Sequence, residues 1–263
     1  MNYVLVSLGS IQSHLLDCIK QIQSLNDGNK IILCTDVNFH CDGVDIINVN
    51  DLNIRSIGSY LKYDPDPLWH TSLYRIFVLN AFFNITHTPF VHFDNDVLVY
   101  YSSNNLIDLE NDNYLTQHKT TEYTFGFSVF KHPVKFNRLV ENIYNLISTG
   151  EQNVRQLLGE THEMRLLGHC GIDLITPLPG HPKIAAPFNN FIFDPSSYGQ
   201  FIDGTPAGHP PGFINKEQLI GDIFDQEQPT ITFRDKKPIL TYKEKDYKIF
   251  NLHVHSKRLQ KFL

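Results

Sequence analysis

The run VHFDNDVLVY at residues 91–100 constrains the chain most, because an apolar, β-rich stretch breaks into Asp94-Asn95-Asp96 and then resumes as a second β-rich stretch. Two carboxylates are thereby left where a strand ends. In open α/β sheets ligands bind at the carboxyl ends of the strands, and two carboxylates spaced by one residue can share a hard divalent cation. Magnesium or manganese held in this way keeps coordination positions free for phosphate oxygens. The same triplet also suits an acidic β-turn, since Asp and Asn are favoured turn residues.

The first third of the chain alternates strand and helix patterns, which predicts a mostly parallel sheet with crossover helices. Residues 3–8 read as a strand punctuated by Gly9-Ser10. Ile11, Leu15, Ile19 and Ile22 then recur at helical spacing before Asn26-Asp27-Gly28. Residues 30–35 are the expected second strand, ending at Asp36, and residues 45–49 a short third. After the loop with Asp64-Pro65-Asp66-Pro67, residues 70–83 read as a long helix offering Leu73, Phe77, Leu79 and Phe82 to a core. Residues 90–93 are the strand that carries the acidic triplet.

Further on, residues 124–130 are an expected strand, and residues 134–147 predict an amphipathic helix packed through Phe136, Leu139, Val140, Ile143 and Ile147. Residues 176–213 are dense in Pro, Gly, Asn and aromatics. Aromatic content of this kind marks a binding loop rather than disorder.

With 41% hydrophobic residues in 263, the chain can bury the core of one large α/β domain, and no linker divides it. A net charge of −6 gives no support for nucleic-acid binding, which relies on clustered Lys and Arg. An anionic substrate must therefore be met by a metal, helix N-termini or a few placed cations. Cys18, Cys34, Cys41 and Cys170 form no CxxC pair and read as reduced thiols of a cytosolic protein. No basic leader and no bilayer-length apolar segment is present, so the expectation is a cytoplasmic protein without a membrane span.

A second informative run is Asn251-Leu252-His253-Val254-His255-Ser256-Lys257-Arg258. Residues two apart on a strand share a face, so His253 and His255 can point at one site while Leu252 and Val254 pack behind. An imidazole can complete a metal site begun by Asp94 and Asp96, and Lys257 or Arg258 can neutralise a phosphate. A strand with solvated histidines and a basic end fits the same residues. Asp194, Gln200 and Asp203 are candidates for hydrogen bonds to a hydroxylated ligand, with Tyr198 and Phe201 as stacking surfaces. Asp194 and Glu163 are the candidate catalytic carboxylates.

In its ordered motifs the chain resembles GT-A-type glycosyltransferases, the nucleotide-diphospho-sugar transferases of glycan biosynthesis. Asp94-Asn95-Asp96 matches their DxD-like motif at a strand end, and Leu73-Tyr74-Arg75 matches an Arg on the preceding helix. His253 to Lys257 is similar to a later His-containing segment with a nearby Lys, and FDPSSYGQFIDG at residues 193–204 to an aromatic-Asp, Gly-Gln-aromatic, Gly pattern. Asp203 and Thr205-Pro206-Ala207 depart from a glycine-rich continuation.

The resemblance implies a Rossmann-like mixed α/β sheet flanked by helices, with a nucleotide-binding half over residues 1–100 and an acceptor-side half with a closing segment over residues 101–263. It implies Mn²⁺ or Mg²⁺ held by Asp94, Asp96 and His253 or His255. The donor would be a nucleoside diphosphate sugar, a UDP-sugar favoured, contacted by Asp36, Arg75, Tyr198, Gln200, Asp203 and Lys257, and the acceptor a glycan or other hydroxyl. Phe93-Asp94-Asn95-Asp96-Val97 also satisfies the nucleophile motif of haloacid-dehalogenase-like phosphatases, with Gly221-Asp222 and Glu227 imitating their downstream metal motif. A nucleotide-sugar or glycan-binding module without turnover is the non-enzymatic alternative.

Overall fold

Side chains alternate across a strand, so a strand buried on both faces reads as a near-continuous apolar run. The computed structural model describes residues 1–58, 67–205, 208–218, 220, 221, 224 and 229–263. In it β1 (Asn2–Ser7) and β2 (Ile31–Thr35) lie within a mixed seven-stranded sheet. Tyr3, Leu5 and Leu33 enter one apolar layer, whereas Val4, Val6, Ile32 and Cys34 enter the other.

Across the sheet the order is β3 (Val44–Asn48), β2, β1, β4 (Phe90–Phe93), β7 (Glu122–Phe130), β6 (Asn113–Lys119) and β8 (Thr176–Leu178). The first four strands are parallel, while β7 is antiparallel to both β4 and β6. From β1 the chain builds β2 and β3 on one side and later β4 on the other. Such a switch in strand order opens a crevice at the carboxyl ends of the strands, where Gly9, Asp36 and Asp94 follow β1, β2 and β4. The mixed α/β sheet flanked by helices expected from the sequence is therefore present.

Helix α1 (Ser13–Leu25) covers one face through Leu15, Cys18, Ile19 and Ile22, and stops at Asn26 in the left-handed conformation. The other face is covered by α2 (Pro67–Thr86), α3 (Pro133–Ser148), α4 (Glu151–Leu158) and α5 (Glu163–Cys170). The expected stripe of α3 is wholly buried, each residue contributing roughly 1.5–3 kcal/mol relative to exposure. Its start is set by Pro133 in the first turn and by His132, whose Nδ1 accepts from the Lys135 N–H at 3.3 Å. Helix α2 buries Ile76, Val78 and Phe83 in addition to the four residues expected, because it packs against the sheet, α3 and α5 together.

Two smaller sheets complete the described fold. One pairs β5 (Val97–Val99) with β13 (Asn251–His253); the other has the order β10 (Thr230–Arg234), β11 (Lys237–Tyr242), β12 (Lys245–Ile249), β9 (Phe191–Ile192). Within the segment read as a loop, α6 (Tyr198–Asp203) forms a short helix. Among the described residues no helix is long and apolar enough to cross a membrane.

Candidate active site

Strand register brings the acidic triplet and the C-terminal histidines together. In the antiparallel β5–β13 pair, His253 stands opposite Val97, and the Val254 N–H extends the ladder by donating to the Asp96 carbonyl at 2.9 Å. His253 Nε2 thus lies 3.1 Å from Asp96 Oδ2, with Leu252 and Val254 buried as expected. Strand β13 ends at His253, yet His255 keeps to the same side: the two rings stack with centroids 4.1 Å apart and an 11° interplanar angle. Asp96, His253 and His255 each offer a ligand atom, all within 4.8 Å of one another. The Lys257 ammonium also donates to Asp96 Oδ2.

Two backbone segments, residues 194–196 and β7, hold His253. Its Nδ1 is 2.9 Å from Ser196 Oγ, and its N–H donates to Asp194 Oδ2 at 2.8 Å. Gly126 of β7 lies against the ring, where a Cβ would stand 2.9 Å from Nδ1. Outer contacts of this kind fix the orientation of a metal-binding imidazole.

The charges reinforce one another. Burial alone would raise the Asp96 carboxyl, but His253 and then Lys257 outweigh it and hold it well below the ordinary carboxylate range. Burial would lower His253, and Asp96 reverses the sign and raises it. His255, half-buried, is pushed down to about 3 by loss of hydration and by the neighbouring His253, so its neutral ring keeps a lone pair.

Asp94 is disposed differently from the expected partner of Asp96 in a shared cation site. Its Oδ1 accepts from Arg75 of α2, which also approaches Glu163 Oε1 at 3.6 Å. A guanidinium, rather than the other carboxylate, is its near neighbour: Arg75 reaches it from α2, and α5 presents Glu163 to the same guanidinium. His92 Nδ1 donates to the Val4 carbonyl at 2.9 Å, and burial followed by Arg75 pushes this imidazole down to about 4. Burial raises the Glu163 carboxyl despite the opposing Arg75. Arg75 Nε, His92 Nε2, Asn95 Oδ1 and Glu163 Oε2 are buried with no hydrogen-bond partner among the described residues.

The remaining sequence candidates have specific partners. Asp194 is buried and accepts from the N–H groups of Ser197, Tyr198, Gly199 and His253 at 2.7, 2.8, 3.0 and 2.8 Å. The Tyr198 ring, expected as a stacking surface, is fully buried in the core and its hydroxyl donates to the Gly180 carbonyl at 2.5 Å, so it presents no face to a ligand. Gln200 Nε2 lies 3.2 Å from His255 Nε2. Asp36 accepts from the Gly9 N–H at 2.7 Å across the β1–β2 crevice.

Asp203 faces the C-terminal segment instead of the crevice, accepting from Ser256 Oγ at 2.5 Å, Arg258 Nε at 3.0 Å and the Lys261 ammonium. Burial would raise its carboxyl, but Lys261, Ser256 and Arg258 hold it below the ordinary carboxylate value. The sign follows: the clamp contributes fully above the unfolded-state value and is lost as pH falls through the lowered one. Since Lys261 and Arg258 are 54% and 60% exposed, its contribution is about 1 kcal/mol. Asp203→Asn is expected to speed amide exchange over residues 254–263 at neutral pH and to leave that region insensitive to mild acid, an effect readable by hydrogen exchange.

Ser196, Gly126 and His92 were given no role by the sequence, and Gly199 entered only as the glycine of the Gly-Gln-aromatic pattern. For Ser196 and Gly199 a signal existed: an Asp followed by small residues and a short amphipathic run marks a side-chain cap at a helix start. Asp64, Asp66, Pro206, Ala207, Asp222 and Glu227 lie outside the described residues. A cleft of about 700 Å³ between α1 and the C-terminal segment opens beside Lys257, lined also by Asp17, Lys20, Arg258 and Lys261.

No family model and no curated protein matches the chain. Among solved structures it is similar to galactosyltransferase LgtC in complex with donor and acceptor sugar analogs, at 13% identity over 82% of this chain and 85% of that one, with a TM-score of 0.41. It is similar to the glycosyltransferase GlyE of Streptococcus pneumoniae TIGR4 at 14% identity over 86% of this chain and 59% of that one, TM-score 0.46. Mouse xyloside xylosyltransferase 1 aligns at 9% identity over 68% of this chain and 84% of that one, TM-score 0.41.

Proposed function

We propose that the chain is a metal-dependent glycosyltransferase that moves a sugar from a nucleoside diphosphate to a glycan or other hydroxyl acceptor. The observation that carries this reading is the convergence of Asp96, His253 and His255 at the carboxyl edge of the parallel strands, with Lys257 on the same carboxylate. The donor set fits a divalent cation: one carboxylate and two imidazoles, one of them held neutral by burial. Two nitrogens favour manganese over magnesium, which prefers oxygen ligands throughout. A cation bound there supplies positive charge against the departing diphosphate.

In the reaction the bond from the anomeric carbon to the diphosphate oxygen breaks, a bond to the acceptor oxygen forms, and the acceptor proton leaves. Lys257 and Arg75 supply positive charge for the donor, and Asp36 at the end of β2 meets the nucleoside. Asp94 and Glu163, joined through Arg75, face the sugar; Glu163 is the carboxylate with an unpartnered oxygen to accept from a hydroxyl. Asp194, with its oxygens engaged by four N–H donors, is a positioning residue for His253. Four free thiols are in keeping with a cytosolic place of action. Among the described residues no contact favours the phosphatase or the binding-module reading.

Asp96→Asn, which removes the charged ligand of the three, is expected to weaken Mn²⁺ binding by about 100-fold or more, since losing even a partner that orients a ligand costs about 10–100-fold. Thermal shift with Mn²⁺ and UDP-, GDP- or dTDP-sugars measures it. Unchanged Mn²⁺-dependent stabilisation in that variant would remove the metal assignment, and absence of donor hydrolysis or transfer across the donor panel would remove the enzymatic one.

A further inference from the structure

We propose that Lys257 is a stand-in cation, its ammonium holding the Asp96 carboxylate until a divalent metal displaces it and frees it for the diphosphate. This rests on the donor-site reading above and adds a binding order to it. Asp96 is 4% exposed, and a buried carboxylate needs a counter-charge. Of its two partners, His253 is fixed, by Ser196 at its ring, by Asp194 at its backbone and by Gly126 against its face. Lys257 is different: its side chain is 46% exposed and able to swing.

The backbone is built to aim this side chain. Lys257 takes φ +61°, a left-handed conformation uncommon for a residue with a Cβ, and its N–H donates to the Val254 carbonyl at 2.9 Å. Conformations of this kind persist where the surroundings over-determine them, and they gather at functional sites. The next two cations, Arg258 and Lys261, are turned to Asp203, so of the three basic residues in this tail only Lys257 faces Asp96.

An ammonium has donors and no lone pair, so it occupies the carboxylate without being able to share a metal. A divalent cation arriving at Asp96, His253 and His255 would meet a like charge on Asp96 Oδ2 in a site of low dielectric. The ammonium must leave, and the anion beside it is the diphosphate. Metal and diphosphate therefore help each other bind, each by the same factor.

Free Mn²⁺ read by electron paramagnetic resonance during titration of the full chain, without nucleotide, tests the inference apart from turnover. Lys257→Gln and Lys257→Met are expected to bind Mn²⁺ about fivefold more tightly than the parent, the factor appropriate to removing a half-exposed charge. Lys257→Arg, which keeps the charge, should bind as the parent does. A structural role alone would move affinity the other way. Equal or weaker Mn²⁺ binding in both neutral variants, with Asp96→Asn still weakening it by about 100-fold, overturns the stand-in role and leaves the metal site. No Mn²⁺ binding to parent or variants overturns both.

Discussion

Gly199→Ala is expected to cost about 3 kcal/mol of stability and to abolish Mn²⁺-dependent donor binding. A Cβ at this position would stand 1.9 Å from the His253 carbonyl oxygen and 2.7 Å from its carbon, far inside contact distance. The obstacle is backbone, so no rotamer change relieves it. Either α6 lifts from β13 or the strand shifts, and the second choice drags His253 from Asp96 and Ser196. Overpacking in a filled interior costs about 1–3 kcal/mol, and loss of the strand's contacts places this change at the top of that range. Chemical denaturation gives the stability term, and Mn²⁺-induced thermal shift gives the binding term. A variant with the parental midpoint and shift would show that α6 and β13 are not in close contact.

The elements that position this site differ in how plainly the sequence announces them. β1, β2 and β4 are apolar runs because both faces are buried, and α1 and α3 repeat their apolar residues every three or four positions. Those patterns are physical necessities of burial, and they were readable. The hairpins joining β10, β11 and β12 were not. Their turns take positive φ at Asp235-Lys236 and at Lys243-Glu244, where a two-residue hairpin turn ordinarily announces itself with Asn-Gly or Asp-Gly. β8 and β9 have only three and two residues, too few for a period to show.

At the site, the pairing of His253 with His255 was legible because alternate residues share a face. The separate partners of Asp94 and Asp96 were not, since both carboxylates have the same local sequence character. Arg75 of α2 takes Asp94 from another element, and His253 takes Asp96 because β13 pairs with β5 in one register. Tyr198 shows the same limit from the other side. A tyrosine beside Gly and Gln suits a sugar platform or a core residue equally well by composition, and only packing against Phe224 and the bond to Gly180 decide for the core.

Asp194 allows the sharpest separation of a chemical from an architectural role. Asp194→Ala would strip the acceptor from four buried N–H groups, three at the start of α6 and one in β13. Leaving one buried donor unsatisfied costs about 1–3 kcal/mol, and partial relaxation at the helix start keeps the expected total near 4 kcal/mol. Asp194→Asn is the more instructive change. Its carbonyl can keep the bonds to Ser197 and Tyr198, but its amide would place a donor against the N–H groups of Gly199 and His253. Stability and Mn²⁺ binding are therefore expected to fall together, because the lost partner is the one that seats His253. A carboxylate acting as the base at an acceptor hydroxyl would give the opposite pattern, with turnover lost while the denaturation midpoint and donor affinity stayed parental. Denaturation, Mn²⁺ titration and donor affinity on the Asn variant decide between them, and a parental midpoint with turnover abolished would return Asp194 to the chemistry.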